Sequence, residues 1–475
     1  MAMSEDWLAV IIGLFIFLLA LGFFFGLDLL GWAITTSVWT SLAGALKPCS
    51  KAYADIPGLV SVVLTYLFLL VIMTVGAALM KANLKKFALS FTVVFIISYL
   101  CWIFGCWAYI AATPNQLKAS GISWSLNLTS EAGYIIALVV GLIIGNFAPG
   151  FAGALGEAIR PELYIKTAIV ILGGYLGITA AEQLGLATSV MFRGFCAIIE
   201  AYLIYWALVY FIARKYFKFS KEWAVPLASG ISICGVSAAI ATGSAIKARP
   251  IVPIMVSSLV VIFAVVELLL LPFLAQQFLY DEPMVAGAWM GLAVKTDGAA
   301  VASGAIAESL ILAKASAQQG ISYQPGWIMA TTTTVKVFID VFIAIWAFIL
   351  AWIWSTKIEK HGAEKVRLGQ IWQRFPKFIL GYMATFFVVI LIAILGPDLV
   401  KGAKAAMGEA NVFRGIFFVM TFFTIGVISN FRRLWEEGIG KLALVYVICL
   451  FGFIIWIGLF ISWLFFHGVK PPLAG

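Results

Sequence analysis

Thirteen apolar runs follow one another along the chain, separated by short polar or turn-forming stretches. Apolar stretches of about 20 residues are long enough to cross a bilayer as α-helices. Hydrophobic residues make up 63% of the sequence and charged residues 11%, against about 25% charged in a soluble domain. The pattern predicts an all-α polytopic membrane protein with about 13 transmembrane helices and excludes a soluble one. The runs are residues 7–31, 58–80, 86–111, 132–148, 165–182, 190–213, 224–246, 251–275, 284–306, 326–354, 375–396, 412–430 and 440–466.

Basic residues are concentrated in alternate loops, including 81–86, 214–221 and 357–377. Because cytoplasmic loops are rich in Lys and Arg, this bias predicts a cytoplasmic N-terminus and an external C-terminus in a bacterial inner membrane. It also accounts for the net charge of +9, so nucleic acid is not an expected partner. Lys247 and Arg249 do not fit, because a full crossing at 224–246 makes them external. They either snorkel to the interface or face a vestibule that attracts anions.

The segment from Ser229 to Pro250 differs from the other apolar runs because Gly, Ala, Ser and Thr replace most of its large side chains. Small residues let another backbone approach closely, and hydroxyl groups supply hydrogen bonds inside the protein. Its glycines make the helix easy to interrupt. Interrupted helices at membrane depth are found where they are buried in protein or line a cavity. The segment is therefore predicted to be a discontinuous helix at a substrate site.

A weak internal repeat relates this region to the end of the chain. The small-residue run 224–246, a basic spot and a bulky run are echoed by 412–430, two arginines and the run 440–466. Five runs separate the two, and an odd offset gives the opposite orientation that inverted repeats require. We predict three parts: residues 1–131 form an extension with three transmembrane helices, 132–275 the first five-helix repeat and 276–475 the second.

Ionisable residues within the apolar runs are candidates for function, because charge at membrane depth is costly. Lys295 and Asp297 lie two residues apart, so both face one cavity only if the helix is broken near Gly298. Lys336 and Asp340 share a helix face and either pair with each other or line a polar pathway.

Two glutamates complete this set of charged residues. Glu267 has no local partner, so it either meets Lys295 or Lys336 across the bundle or is protonated through burial. Glu200 is expected to form a structural pair with Arg193, two turns before it.

Several motifs resemble the YeiH-like family of sulfate exporters, of the UPF0324 type. They are Ser232-Ile-Cys-Gly-Val-Ser-Ala-Ala-Ile-Ala-Thr242, Gly141-Leu-Ile-Ile-Gly-Asn146, Ile171-Leu-Gly-Gly-Tyr-Leu-Gly177 and Lys336. The resemblance covers about residues 132–466 and implies membership of the cation/proton antiporter and anion transporter superfamily. It implies two inverted five-helix repeats whose discontinuous helices, 226–247 and 412–432, cross each other. Where many relatives have a His-Glu pair, this chain has Lys295-Thr296-Asp297.

These observations predict a secondary active transporter of small anions, such as sulfate, a sulfonate or a related oxyanion, that works by alternating access. Protons or sodium ions are the expected coupling ions, and no cofactor or metal is expected. The predicted substrate-binding residues are Ser232, Cys234, Gly235, Ser237, Thr242, Lys295, Thr424, Ser429 and Asn430. The predicted ion-coupling residues are Asp297, Glu267, Lys336 and Asp340.

Three other functions remain open at this point. A cation/proton antiporter would use Asp297 as its ion ligand, and an anion channel would need no coupling ion. A membrane-embedded enzyme would use Cys234 as nucleophile, but neither a His nor an acidic residue lies near it in sequence, so we expect no enzymatic activity. The expected partners are the small anion, the coupling ion and the lipid bilayer. A homodimer is a further alternative.

Overall fold

The computed structural model describes residues 3–42, 44–112, 114–126, 128, 130, 132–182, 184–249, 251–358, 377–429 and 440–474. Almost all of this part of the chain is helical. A small antiparallel hairpin pairs β1 (Ile34–Thr36) with β2 (Leu46–Pro48), and Thr35 lies opposite Lys47. The main helices are α1 (Glu5–Leu21), α2 (Gly58–Leu79), α3 (Leu84–Gly105), α4 (Ala132–Phe147), α5 (Pro161–Glu182), α6 (Leu184–Gly194), α7 (Trp206–Lys215), α8 (Lys221–Ser232), α9 (Gly235–Ala245), α10 (Ile251–Phe278), α11 (Pro283–Ala293), α12 (Asp297–Gln319), α13 (Trp327–Val341), α14 (Ile343–Ile353), α15 (Phe378–Leu395), α16 (Pro397–Ile428), α17 (Gly440–Cys449) and α18 (Ile455–Phe466).

The helical membrane fold predicted from the sequence is confirmed. Within the described residues, 11 helical segments are long and apolar enough to cross a membrane. Several of them combine consecutive helices. A π-helical turn, Ile199–Tyr205, leads into α7, and another, Leu450–Ile454, joins α17 to α18. The predicted total of thirteen crossings is not confirmed, because two of the predicted spans have a different form, described below.

The chain folds into two compact units. The first contains Met1–Ala187, Ala317–Gln319 and Lys377–Ile428. Within it, α5 packs against α1, α15 and α16, and α4 packs against α16. Two ion pairs fasten the start of α1 to the α4–α5 region: Arg160 to Glu5 at 2.5 Å and Lys166 to Asp6 at 2.8 Å. The second unit contains Thr188–Ser316, Gly320–Pro376 and Ser429–Gly475. The predicted three-part division at residues 131 and 275 stays a prediction.

In the second unit, α8 and α9 form a helical hairpin. The backbone leaves the helical region at Ile233 (φ −107°, ψ −86°), and α9 then packs back along α8. After α9, the Arg249 side chain reaches Glu222, at the start of α8, with Nε 3.0 Å from Oε1. The predicted full crossing at 224–246 is therefore wrong. Because α9 returns along α8, Arg249 lies at the same end of the hairpin as Glu222. The small residues of both arms allow them to pack this closely.

A second hairpin is formed by α11 and α12. The helix is interrupted at Val294 and Thr296, which have extended backbone (ψ 126° and 147°). Farther along α12, Lys314 contacts groups that precede α11: its Nζ lies 3.2 Å from Gln277 Oε1 and 4.4 Å from the centre of the Tyr280 ring. The chain thus returns to the end it came from. The sequence left open a break near Gly298 in a crossing helix; the structure has a break at Val294–Thr296, and the segment turns back instead of crossing.

The C-terminal segment supports the same arrangement. Glu282, just before α11, accepts a hydrogen bond from Gly468 N at 3.1 Å and lies 2.9 Å from His467 Nδ1. A few residues later, Pro472 O accepts a hydrogen bond of 2.7 Å from Gln324 N, in the turn that follows α12. One short stretch of chain therefore contacts both sides of the α11–α12 hairpin at its open end.

The prediction of a discontinuous helix at 412–432 is wrong for residues 412–428, which the structure describes. Helix α16 is continuous from Pro397 to Ile428. The Thr421 and Thr424 hydroxyls bond to carbonyls four residues earlier in the same helix, each at 2.7 Å, so they do not interrupt it. Gly426 serves close packing instead, because a Cβ there would lie 2.7 Å from Leu142 N of α4.

Glu308 fixes the start of α13. Its carboxylate accepts hydrogen bonds from Gly326 N and Ile328 N, each at 2.9 Å, and from Met329 N at 3.1 Å. These amides have no partner within the helix. Glu308→Ala is expected to destabilise the protein by about 2 kcal/mol, measured by thermal unfolding in detergent. Glu308→Gln, which keeps an acceptor oxygen, is expected to lose less stability than the alanine variant. Equal stability of the alanine variant and the unmodified chain would contradict this role.

Candidate functional site

The two hairpins of the second unit meet at their tips. Gly235 N donates a hydrogen bond to Lys295 O at 2.5 Å. A Cβ at position 235 would lie 3.2 Å from Lys295 O and 3.0 Å from Val260 Cβ, so only glycine allows this approach. Helices α9 and α12 both begin here, and α8 and α11 both end here. The junction therefore contains two helix N-termini, with partial positive charge, and two C-termini, with partial negative charge.

Two buried lysines lie at the C-terminal ends of α8 and α11, the first arms of the two hairpins. Lys336 Nζ, from α13, donates to Ile233 O at 2.9 Å, directly after α8. Lys295 Nζ donates to Leu292 O, near the end of α11, and lies 4.6 Å from the centre of the Tyr205 ring. The side chains are 2% and 1% exposed. Each ammonium group therefore offsets the partial negative charge at the C-terminal end of α8 or α11. The partial positive charge at the N-termini of α9 and α12 remains at the junction.

Glu267 joins this cluster from α10. It is fully buried, and its carboxylate accepts hydrogen bonds from Lys295 N at 2.9 Å and from the Tyr446 hydroxyl at 3.1 Å. The position agrees with the expectation that Glu267 meets Lys295. The contact is made to the Lys295 backbone, while the ammonium group and the carboxylate interact electrostatically over a longer range.

Glu200 is the second buried acid near Lys295, and the two charges interact. Neither of its carboxyl oxygens has a hydrogen bond of normal geometry within the described part of the chain. The predicted pair with Arg193 is wrong, because Arg193 donates to Ser189 Oγ at 3.0 Å and to Phe465 O. Tyr205, the polar neighbour of Glu200, donates its hydroxyl to Ile454 O at 2.9 Å.

The predicted residues of the small-residue segment have different surroundings. Ser232 and Cys234 are buried at the tip, and the Ser232 hydroxyl has no hydrogen-bond partner among the described residues. Gly235 makes the tip contact. Thr242 lies two turns away, and its hydroxyl bonds to Ala238 O at 2.7 Å. Ser237 belongs to α9, but its side chain lies outside what the structure describes.

The remaining predicted residues fall into three groups. Asp340 is buried one turn beyond Lys336 on α13. Asp297 begins α12, but its side chain is outside the described part, as is the whole of Asn430. Thr424 belongs to the first unit and Ser429 to the second, and both are buried.

Tyr205 and Tyr446 are not among the predicted site residues, yet the Tyr205 ring lies beside Lys295 and the Tyr446 hydroxyl bonds to Glu267. Tyr205 is one of three tyrosines in the run 190–213 and Tyr446 the one tyrosine in 440–466, and tyrosines in apolar runs are often simply core or interface residues. A hydroxyl-bearing ring at membrane depth was the available signal.

The chain is similar to other membrane proteins, to one of them over its whole length. A family model described as "Conserved hypothetical protein 698" matches residues 120–445. A UPF0324 membrane protein of Nitrosomonas europaea is 42% identical over 100% of this chain and 98% of the relative. A UPF0324 membrane protein of Rhodopirellula baltica is 29% identical over 86% of this chain and 67% of the relative. An uncharacterised protein of Archaeoglobus fulgidus is 49% identical over 31% of this chain and 90% of the relative. No solved structure matches the chain.

Proposed function

The chain belongs to the UPF0324 family of membrane proteins, and we propose that it is a secondary active transporter of small anions. The observation that carries the proposal is the meeting of two helical hairpins beside two buried lysines. The tips join at Gly235 and Lys295, and Lys336 bonds to Ile233. Interrupted helices that meet at membrane depth form the substrate sites of many secondary transporters.

The charges at the junction favour a small anion. The N-termini of α9 and α12 direct backbone N–H groups towards it, as in other anion sites at helix ends. Lys295 and Lys336 add positive charge, and the Ser232 hydroxyl provides a further hydrogen-bonding group. Sulfate, sulfonates and related oxyanions have the negative charge and the hydrogen-bond acceptors that this environment favours. We propose that Ser232, Cys234 and Gly235 line the substrate site together with Lys295.

Coupling to protons or sodium ions is assigned to the carboxylates near the lysines. Glu267 shares hydrogen bonds with the Lys295 backbone and Tyr446, so a change in its protonation would alter the junction directly. Asp297 and Asp340 are the other candidates, with Lys336 as the neighbouring cation. In the alternative antiporter function Asp297 binds the transported cation, and the buried Glu200 and Glu267 are the observation that favours it. Substrate-dependent proton or sodium flux in proteoliposomes separates the two functions.

The hairpins also bear on orientation. Each returns to the end where it starts, so two of the thirteen predicted crossings are removed. Eleven remain, which is still an odd number, and the proposed orientation has the N-terminus in the cytoplasm and the C-terminus outside. Arg249 then lies at the basic, cytoplasmic end with Glu222, and its misfit with the charge bias disappears. Localisation in the inner membrane is part of the same proposal.

The transport test uses purified protein in liposomes preloaded with unlabelled sulfate or methanesulfonate. A transporter is expected to accumulate the labelled anion transiently by counterflow and to saturate with concentration. Flux that is linear in concentration and shows no counterflow would identify an anion channel instead. No anion-dependent flux, combined with proton–cation exchange, would favour the antiporter.

Cys234 provides a test against the enzymatic alternative. The side chain is 2% exposed and lies at the hairpin tip. Cys234→Ser is expected to keep at least about half of the transport rate, because serine preserves the size of this small buried side chain and the thiol has no chemical step to perform. The measurement is uptake in proteoliposomes at matched protein content. Complete loss of uptake in a stable, monodisperse variant would show that the thiol itself is required and would contradict this expectation.

A further inference from the structure

A large cavity lies in the first unit. It has a volume of about 710 Å³ and is formed by the β1–β2 region, the end of α3, the start of α4 and the first half of α16. This is within the range of about 300–1,000 Å³ that is usual for small-molecule sites. Every lining residue belongs to the first unit. The cavity is therefore independent of the hairpin junction and of the function proposed for it.

Three basic side chains line this cavity: Lys51, Lys404 and Arg414. Arg414 is held in place, because it donates to Asn411 Oδ1 and lies 4.9 Å from the centre of the Phe418 ring. Burial, with smaller contributions from Glu409 and Asp28, raises the pKa of the Cys49 thiol to about 11. Cys49 therefore stays neutral at neutral pH and adds no negative charge to the wall. The basic groups favour a ligand with an acidic group.

Glu409 gives the same cavity an opposite feature. It lines the wall, is only 4% exposed, and its Oε2 has no hydrogen-bond partner in the described part of the chain. The Asp28 carboxyl group acts on Glu409 electrostatically and lies within hydrogen-bonding reach of it, so two acidic groups are close together in this part of the cavity. A buried acceptor without a donor is costly, and a ligand amine would supply both the donor and the opposite charge.

Part of the cavity wall is aromatic. Tyr99, Trp102 and Tyr134 line it, and the Trp102 and Tyr134 rings lie 5.1 Å apart. The Tyr99 hydroxyl is fixed by a 2.9 Å hydrogen bond with Thr36. Such faces bind methylene groups and favour organic cations. An inorganic anion such as sulfate would use neither the rings nor Glu409.

We propose that this cavity is a binding site for a small organic zwitterion, with its amine at Glu409, its acidic group at the basic side chains and its carbon chain against the aromatic wall. Amino acids with separated amino and acidic groups have this chemistry. The proposal concerns the first unit alone, so it can fail or succeed whatever the outcome for Lys295.

The test is calorimetric titration of the full-length protein in lipid nanodiscs with two matched pairs: β-alanine and propionate, and 6-aminohexanoate and hexanoate. At least one amino acid is expected to bind about tenfold more tightly than its matched acid, the effect of one well-placed charge-assisted hydrogen bond. Glu409→Gln is expected to remove that difference. Equal affinities within both pairs, or a difference that survives Glu409→Gln, would overturn the proposal.

Two further pairs of variants give matched controls that keep the test decisive if Glu409→Gln does not fold. Lys404→Gln and Lys51→Gln, at the cavity, are expected to weaken binding of the amino acid and its matched acid alike. Lys401→Gln, about one turn earlier on α16, and Lys47→Gln, in β2 shortly before Lys51, change residues outside the lining and are expected to leave binding unchanged. Lys295→Met is also expected to leave this binding intact. Equal effects in the cavity variants and their controls would place the ligand elsewhere.

Discussion

Replacement of Lys295 by methionine is expected to reduce anion uptake about a hundredfold or more, which corresponds to about 2.7 kcal/mol. Lys295 places a fully buried ammonium group at the hairpin junction, bonded to Leu292 O and facing the Tyr205 ring. Methionine has a similar length but no charge, so it fills the space without attracting an anion. The measurement is initial uptake of labelled sulfate or methanesulfonate in proteoliposomes.

The control is Lys314→Met, which changes the same residue type in the same hairpin but on α12, far from the tip, and should keep transport. Removing one charge from a buried cluster also destabilises a protein, by about 3–5 kcal/mol when a partner charge is left unpaired. The double variant Lys295→Met with Glu200→Gln removes one charge of each sign. It is expected to recover stability but not uptake. Recovery of uptake in the double variant would show that Lys295 has only a structural role.

Replacement of Gly235 by valine is expected to separate the two hairpin tips and abolish transport. A Cβ at this position would lie 3.0 Å from Val260 Cβ and 3.2 Å from Lys295 O, and valine adds two methyl groups beyond it. Overpacking of this kind costs about 1–3 kcal/mol. The loss of stability is measured by thermal unfolding in detergent, and transport is measured in proteoliposomes.

Gly452→Val provides the matched comparison. Gly452 lies in the π-helical turn Leu450–Ile454, in the same unit, and a Cβ there meets nothing within 4 Å. This variant is expected to unfold at nearly the unmodified temperature and to keep transport. If the two valine variants behave alike, close approach of the tips is not needed for function.

Much of the membrane fold could be predicted from the apolar pattern, but the path of the polar helices could not. Residues 224–246 have the length of a crossing helix. A helical hairpin of two short arms has the same length and composition. The observation that separates them is the contact between Glu222 and Arg249, which joins residues that a crossing helix would place on opposite sides. Their opposite charges were visible in the sequence, but their proximity was not.

The candidate site was predicted in part. Lys295, Glu267 and the small-residue segment were identified because charge and glycine at membrane depth are costly and therefore informative. The sequence pattern predicts the second interrupted helix at 412–432, because Thr and Gly residues occur there as they do in the small-residue segment. In the structure those threonines bond within α16, and the second interruption is at Val294–Thr296. Tyr446 and Glu267 are 179 residues apart, and no local pattern connects such distant positions.

The central claim, an anion bound where the hairpin tips meet, is tested most directly by anion-dependent stability. The unfolding of purified unmodified protein and of Lys295→Met is followed in detergent with sulfate, methanesulfonate, nitrate and acetate, at constant ionic strength. At least one anion is expected to stabilise the unmodified protein by about 2.7 kcal/mol at a concentration a hundred times its Kd, and to leave Lys295→Met unchanged. Equal stabilisation of both proteins, or none by any of the four anions, would contradict the claim.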